Sequence, residues 1–201
     1  MTCLSDPGWD AVFAGPMAWP ANARLLRQGV VPPTIYVLDE GTIKMVYVTA
    51  EGHEQVIDIR RAPVLLGAPF VITGRPCSVD AITLTPCSVR WCSAEAFVSV
   101  SANDAARVGD MLRWQCAETV DLCERAVVMS LKRSGQRLRH FMAHHGVVSG
   151  DGRARPALPF KQSLVASFIN VTPEHLSRLM KKMAGPGPGE SRSRSPNKSS
   201  R

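Results

Sequence analysis

The apolar positions of residues 162–183 predict two short helices that pack across one small core. The apolar residues that recur at helical spacing are Val165, Ile169, Val171, Leu176 and Leu179. This spacing places apolar side chains on one face of each helix, and Ala166 is small enough for the helices to approach closely. The pattern therefore indicates a helix-turn-helix unit.

The corner between these helices is also predicted by its residues. Asn170 stands where the chain needs a positive φ, which asparagine tolerates better than most residues. Thr172 can cap the next helix with its hydroxyl, and Pro173 suits the first helical position because no N–H is needed there. We expect the second helix to begin at Pro173.

This second helix is predicted to carry one charged face. The polar set is Glu174, Ser177, Arg178 and Lys181, and the apolar set on the opposite side is Leu176, Leu179, Met180 and Met183. Arginine can bridge O6 and N7 of guanine, and glutamate can accept a hydrogen bond from the amino group of cytosine. The residues expected to read bases are Glu174, Ser177 and Arg178. The residues expected to contact phosphates are Lys161, Thr172, Lys181 and Lys182. The alternative is a helical hairpin with a solvated polar face.

A longer helical period runs through residues 104–132. Its apolar stripe consists of Val108, Leu112, Cys116, Val120, Cys123, Val127 and Leu131. A helix of this length would extend about 43 Å, which is more than so small a domain can cover by itself. The stripe therefore predicts a seam between two subunits. Ser134 is expected to cap a further helix that runs to His145, and residues 149–158 are expected to form a polar loop.

The first half of the chain has the pattern of β-structure. The predicted strands are 35–38, 42–49, 54–60, 77–84 and 87–92, separated by Gly and Pro turns. Short strands of this kind predict an antiparallel sheet. The fold class is therefore α+β: an antiparallel β-sandwich or jelly roll, a long dimerisation helix and a C-terminal helix-turn-helix domain. The predicted segments are 1–22 (N-terminal), 23–100 (sandwich), 104–132 (long helix), 134–183 (DNA-binding domain) and 184–201 (disordered basic tail).

Charge is distributed unevenly along the chain. Residues 1–152 carry 14 Lys and Arg against 15 Asp and Glu, whereas residues 153–183 carry 6 against 1 and residues 184–201 carry 4 against 1. A basic region behind a near-neutral body is typical of a module that binds a polyanion. For the tail alone, the alternative is a flexible segment that raises solubility and binds nothing specific.

Composition narrows the class of protein further. No apolar run approaches the roughly 20 residues needed to cross a bilayer, and the first ten residues do not have the pattern of a signal peptide. These features predict a cytoplasmic protein with no membrane partner.

Six cysteines are present without a CxxC pair, so reduced thiols in cores are expected instead of a metal site. No nucleophile, base and orienting group occur together, so we do not expect an enzyme.

The chain resembles the Crp/Fnr family of bacterial transcription regulators from about residue 24 to residue 183. The residues that carry the resemblance are Leu25-Leu26-Arg27-Gln28-Gly29, Tyr36, Gly41, Gly52, Leu66-Gly67, Leu158-Pro159 and the run VTPEHLSRLMKKM at 171–183. The resemblance implies a homodimer whose recognition helices enter successive major grooves of double-stranded DNA. It also implies RNA polymerase as a candidate partner. The Glu-x-x-Ser-Arg pattern of the Fnr-like branch is matched at 174–178 and predicts a TTGAT-like half-site.

The sandwich departs from the members of that family that bind cyclic AMP. These members hold the cyclic phosphate with a glutamate and an arginine, and the aligned positions here are Ala68 and Cys77. Arg75 is a possible substitute two residues away. The candidate effector pocket consists of Gly67, Ala68, Arg75, Cys77 and Ser78. We predict no cofactor, do not expect cyclic nucleotide binding and leave the effector unidentified.

The positions of Cys3, Cys116 and Cys123 bear on possible redox chemistry. Only Cys3 lies near the amino end, where the oxygen-sensing members carry an iron–sulfur cluster, so that cluster is not expected. Cys116 and Cys123 lie seven residues apart on one face of the long helix. Two alternatives remain for them, which are packed thiols and an intersubunit disulfide.

The carboxyl end departs from the family as well. Family members continue into a two-stranded wing, whereas no hairpin pattern is found after Gly185. The residues that could partly replace its phosphate contacts are Arg192, Arg194, Lys198 and Arg201. Two functions remain open: a sequence-specific regulator, or a sensory and dimerisation module with weak or non-specific DNA binding.

Overall fold

The computed structural model describes residues 7–130, 133–145 and 158–183. Its residues fall into two compact units, Met1–Arg125 and Ala126–Arg201. The strands are β1 Ala14–Trp19, β2 Arg24–Leu26, β3 Thr34–Glu40, β4 Thr42–Val48, β5 Glu54–Arg61, β6 Val64–Leu66, β7 Asp80–Thr83 and β8 Cys87–Ser93. The helices are α1 Pro7–Asp10, α2 Ala68–Thr73, α3 Ala94–Asn103, α4 Ala105–Ser130, α5 Ser134–His144, α6 Gln162–Phe168 and α7 Pro173–Met183. None of the described helices has the length and apolar character required to span a bilayer.

The first unit is built on two antiparallel four-stranded sheets. One sheet has the order β1-β8-β3-β6 and the other has the order β2-β7-β4-β5. The α+β fold class predicted from the sequence is confirmed. The turn between β3 and β4 requires glycine, because Gly41 has φ +104° and a Cβ there would lie 2.5 Å from Sγ of Cys87.

Two apolar clusters hold this unit together. The cluster between the sheets includes Leu38 and Val89 from one sheet and Leu26 and Ile43 from the other. The second cluster covers the outer side of β3 and β8, where the members from outside the sheets include Trp9, Phe13, Phe97, Met111 and Trp114. The rings of Trp9 and Phe97 stack with centroids 5.4 Å apart. The second cluster thus attaches α3 and the start of α4 to the sheet.

Several predicted boundaries differ from the observed ones. β1 lies within residues 1–22, which the sequence analysis left outside the sandwich, and it pairs with β8. Its residues Ala14–Ala18 are exposed, so they lack the alternating pattern by which strands are recognised. The predicted strand 77–84 is shorter, since only Asp80–Thr83 is extended in a sheet and Cys77 makes an isolated bridge to Gln28.

The second unit contains the end of α4 and helices α5, α6 and α7. The fully buried side chains of the three short helices include Leu138, Val165 and Leu176, and Ile169 directly after α6 is fully buried as well. His145 follows α5 and is buried, with its ring 4.4 Å from that of Phe141 between centroids. Most of the predicted loop 149–158 and all of the predicted tail 184–201 lie outside the described residues, as does the region in which a wing was looked for.

Candidate functional site

The corner before α7 has the geometry expected from its residues. Asn170 has φ +54°, and the N–H of Val171 donates to the carbonyl of Ala166 at 2.9 Å. The hydroxyl oxygen of Thr172 accepts the N–H of His175 at 3.2 Å, and Pro173 is the first helical residue. The left-handed residue, the cap and the proline together define the direction in which α7 leaves the corner.

Helix α7 carries its buried apolar side chains and its exposed charged side chains on different sides. Leu176 is 0% exposed and Met180 is 1% exposed, so the apolar face is held in the core of the helical unit. The charged residues of α7 that are exposed to solvent are Glu174, Arg178, Lys181 and Lys182. Ser177 is half-buried between these two faces. The candidate base-reading residues thus lie on one accessible side of the helix.

The carboxylate of Glu174 is positioned by the start of α7. Its pKa is lowered by a hydrogen bond to its own backbone N–H, by a second hydrogen bond to Thr172 and by the charge of Arg178. The carboxylate is therefore ionised at neutral pH and can only accept hydrogen bonds. This is the form required to accept from an amino group of a base.

Two contacts between helices hold α7 and α6 in place. The hydroxyl of Ser134 lies 2.8 Å from Nε2 of His175, and Nε of Arg137 donates to the carbonyl oxygen of Ile169 at 2.9 Å. Neither contact follows from a local sequence pattern, because the residues are more than 30 positions apart. The prediction that Ser134 caps the helix is wrong. Arg133 holds the cap position without a side-chain hydrogen bond, and Ser134 is the first residue of α5.

A cleft of about 640 Å³ lies between the beginning of α5 and the end of α7. Its lining residues are Arg133, Ser134, Gly135, Gln136, Arg139, Leu179, Lys182 and Met183. Three of these carry a positive charge, and Arg133 and Arg139 were absent from the predicted phosphate contacts. Of the predicted ones, Lys161 is exposed before α6, and Thr172 is exposed while its hydroxyl caps α7.

The candidate effector residues include no buried charged side chain. Cys77 is 2% exposed and belongs to the apolar cluster between the sheets, and Ala68 is 1% exposed. Arg75 and Ser78 are exposed to solvent. Gly67 has φ +94° and begins the turn into α2. A buried anion needs a cationic or hydrogen-bonding partner, and the buried residues here supply a methyl group and a thiol. The residues present do not fit a cyclic phosphate.

Other candidate chemistry is limited in the part of the chain that the structure describes. No group of three His, Cys, Asp or Glu side chains is placed to hold a metal ion there. Burial raises the pKa of the Cys77 thiol and raises the pKa of Cys92 to about 12. Cys87 is buried as well, whereas Cys116 and Cys123 are exposed. The expectation that the cysteines pack in cores is confirmed for Cys77, Cys87 and Cys92. Both alternatives for Cys116 and Cys123, packed thiols and an intersubunit disulfide, stay predictions, because the two residues are exposed in the single chain.

Comparison with known proteins supports the domain and the fold. Residues 16–104 match the family described as the cyclic nucleotide-binding domain. No curated protein sequence matches the chain. Among solved structures, the chain is similar to the c-di-GMP responsive global regulator CLP of Xanthomonas campestris, with a TM-score of 0.69 and 16% identity over 88% of each chain.

Two further structures show the same fold. FixK2 from Bradyrhizobium japonicum has a TM-score of 0.65 and 13% identity, and 83% of this chain and 82% of that chain are covered. A transcriptional regulator of the CRP family from Thermus thermophilus has a TM-score of 0.65 and 14% identity over 83% of each chain. The resemblance to Crp/Fnr regulators is confirmed at the level of the domain and the fold.

Proposed function

We propose that this chain is a sequence-specific DNA-binding transcription regulator that acts as a homodimer, with α7 as its recognition helix. The observation that carries the proposal is the separation of the two faces of α7. Leu176 and Met180 are buried in the helical unit, whereas Glu174 and Arg178 are exposed one turn apart. A rigid helix with this arrangement is suited to the major groove.

The base-reading roles follow from the chemistry of these side chains. Arg178 can donate two hydrogen bonds to O6 and N7 of a guanine, and the ionised carboxylate of Glu174 can accept from a cytosine amino group. Ser177 is half-buried beside them and can donate to or accept from a base edge. The resemblance to the Fnr-like branch favours a TTGAT-like half-site, repeated with two-fold symmetry.

The phosphate contacts are proposed for the cations that surround this helix. Lys161 precedes α6, and Lys181 and Lys182 are exposed near the end of α7. Arg133 and Arg139 line the cleft beside Lys182 and add positive charge to the same side of the helical unit. Attraction between these groups and DNA would be independent of sequence and would weaken as salt increases. Thr172 is expected to contribute less to phosphate binding than these cations, because its hydroxyl already serves as a helix cap.

The proposed dimer depends on α4. The exposed apolar side chains of this helix include Val108, Leu112, Val120 and Val127, each between 49% and 63% exposed in the single chain. A second copy is the partner that would cover this stripe and would also place two copies of α7 on a symmetric operator. RNA polymerase as a further partner, an effector for the sandwich and a cytoplasmic location remain predictions.

The test is fluorescence anisotropy of the full-length protein on a palindromic TTGAT duplex and on a duplex with scrambled half-sites. We expect preference for the first duplex. Arg178→Ala is expected to weaken that binding by about 1 to 3 kcal/mol, or roughly 5- to 150-fold. Arg27→Ala, which removes an exposed arginine from the sandwich, is the matched control and should bind normally.

The second candidate function gives a different result in the same assay. A sensory and dimerisation module would bind both duplexes equally, with affinity that falls steeply as salt increases. In that case Arg178→Ala would affect both duplexes by the same small factor. Equal binding of the wild-type protein to both duplexes would therefore contradict the proposed base reading.

A further inference from the structure

The rotation of α4 about its axis is determined by contacts with the sandwich. Glu118 pairs with Arg60 of β5 at 2.5 Å, and Nε of Arg125 lies 3.4 Å from a carboxylate oxygen of Asp58. Met111 also packs against the apolar cluster on the outer side of β3 and β8. At about 100° per residue, Met111 and Arg125 each lie within about 20° of Glu118 around the helix. These three residues define the inner face of α4.

The outer face of the same helix carries both exposed cysteines. Cys116, Val120 and Cys123 lie about 140° to 160° around the axis from Glu118, so they point away from the sandwich. Both cysteines are exposed, and Val120 is 57% exposed. Val127, which is 63% exposed, continues the same stripe along the helix. An uncovered stripe of valines and cysteines at this spacing is the pattern of a helix seam.

The two cysteines occupy equivalent positions in a seven-residue repeat. Val120 and Val127 occupy the neighbouring position of the same repeat, which is the arrangement of alternating layers in a two-stranded coiled coil. In the homodimer of the proposed function, on which this inference rests, parallel α4 helices related by a two-fold axis place each residue of the seam opposite its own copy. Each cysteine would then face the same cysteine of the second subunit.

The distances in such a seam suit a covalent bond. Helix axes pack about 8 to 10 Å apart, and Cα atoms lie about 2.3 Å from each axis. Directly facing Cα atoms are therefore about 3.4 to 5.4 Å apart, a range that overlaps the roughly 4.4 to 6.8 Å found for disulfides. The two layers are about 10.5 Å apart along the helix. This spacing prevents Cys116 from pairing with Cys123 on one helix, and it prevents the two layers from sharing one metal ion.

We propose that Cys116 and Cys123 form a thiol–disulfide site across the dimer seam, with hydrogen peroxide or a related peroxide as the oxidant. In each layer, the peroxide oxidises one thiol to a sulfenic acid and releases water. The thiol of the second subunit then attacks that sulfur, the S–S bond forms and a second water leaves. Two thiols lose two electrons and two protons in total, and one peroxide is reduced to two waters. The product is a dimer whose subunits no longer separate on dilution.

The remaining described cysteines are unsuited to this reaction. Cys77, Cys87 and Cys92 are buried in the sandwich. Burial also raises the pKa of Cys77 and Cys92, so the reactive thiolate form is disfavoured at both. Among the cysteines that the structure describes, oxidation at low peroxide concentration should therefore be selective for the two on α4.

The experiment uses the full-length protein and three variants, Cys116→Ser, Cys123→Ser and the double variant. Sedimentation first determines whether each reduced protein is a dimer. Each is then treated with hydrogen peroxide and run on a gel without reductant. We expect the wild-type protein to move from 21.8 kDa to about twice that mass and to return with dithiothreitol. Each single variant should still cross-link through its remaining cysteine, and the double variant, which keeps the other four cysteines, should not.

Mass spectrometry of the cross-linked band identifies the bonds. Cleavage after Glu118 separates the two cysteines, so peptides joined at Cys116–Cys116 and Cys123–Cys123 can be distinguished from mixed pairs. Only the like pairs are expected for a parallel seam in register, and mixed pairs between subunits would overturn the assignment.

The remaining outcomes separate this inference from the proposed function. A reduced dimer that stays at the monomer mass after oxidation, or a double variant that cross-links as well as the wild type, overturns the disulfide and leaves the regulator intact. A reduced protein that sediments as a monomer overturns the homodimer itself, and the disulfide with it.

Discussion

The sandwich and the helical unit differ in the burial of their candidate binding residues. In the sandwich, the position predicted to align with the phosphate-binding arginine of the family is Cys77, which is buried among apolar side chains. In the helical unit, Arg178 and Glu174 remain exposed while Leu176 and Met180 hold the helix in its core. Cys77 thus contributes to the core of the sandwich, whereas Glu174 and Arg178 do not contribute to the core of the helical unit. Specific recognition is therefore expected from the helical unit.

The strongest test of this difference is to put the arginine into the sandwich. Cys77→Arg would bury a guanidinium without a free partner, because Asp80 already accepts the N–H of Gln28 at 2.7 Å and pairs with Arg24 at 3.1 Å. We expect the free energy of unfolding to fall by about 3 to 5 kcal/mol, measured by urea denaturation. Cys77→Ser is the control, with a loss of about 1 to 3 kcal/mol. A stable Cys77→Arg protein that binds cyclic AMP would show that the position is still a pocket.

A second test compares two arginines within the helical unit. Arg137 donates to the carbonyl oxygen of Ile169, so Arg137→Ala is expected to lower the free energy of unfolding by about 1.5 to 3 kcal/mol. Arg178 is exposed, and Arg178→Ala should leave stability within about 0.5 kcal/mol of the wild type. Thermal unfolding of both variants measures the difference. A similar loss of stability for both would mean that Arg178 is part of the packing and is not available for the proposed contact with DNA.

The cap of α7 gives a smaller effect. Thr172→Ala removes the acceptor for the N–H of His175 and should lower the free energy of unfolding by about 1 kcal/mol, as determined by chemical denaturation. Thr172→Ser keeps the hydroxyl and serves as the control. If the two variants unfold alike, the hydroxyl does not stabilise the start of α7.

The smallest expected effect is a dependence on pH at Glu174. Its pKa is lower in the folded chain than the ordinary value of 4.5, so the carboxylate adds stability above about pH 4.5 that is lost as pH falls through the folded value. Unfolding temperatures measured between about pH 7 and pH 3 should therefore decrease slightly less for Glu174→Gln than for the wild type. Identical pH profiles would remove the proposed contact of the carboxylate with the start of α7.

Local patterns predicted a large part of this fold. The strands 42–48 and 54–61, the long helix and the corner at Asn170 all follow from residue type and spacing, because hydrophobic period, positive φ and helix caps depend on neighbouring residues. β1 was missed because its exposed residues have no alternation, and it is held by pairing with β8, a partner about 70 positions away. The sequence therefore predicts best those elements whose stabilising contacts are local.

The residues of the candidate site likewise fall into a group that was predictable from the sequence and a group that was not. The residues of the charged face and the cap were predictable from the sequence, since the helical period places Glu174, Ser177 and Arg178 together. The anchoring contacts of Ser134 with His175 and of Arg137 with Ile169 were not predictable, and neither were Arg133 and Arg139 beside Lys182. These pairs join different helices, and no local rule specifies which distant side chains meet.

By itself, the sequence determined the fold class, the start of α7 and the stripe on α4, because each depends on the order of residues within a few turns or strands. Only the tertiary structure decided that Cys77 lies in the core, that Cys116 and Cys123 face away from the sandwich and that α7 is anchored through α5. Burial and the rotation of a helix are set by packing and ion pairs between distant segments, such as Arg60 with Glu118. Those contacts therefore determine which charged, polar and thiol side chains stay exposed and available for binding.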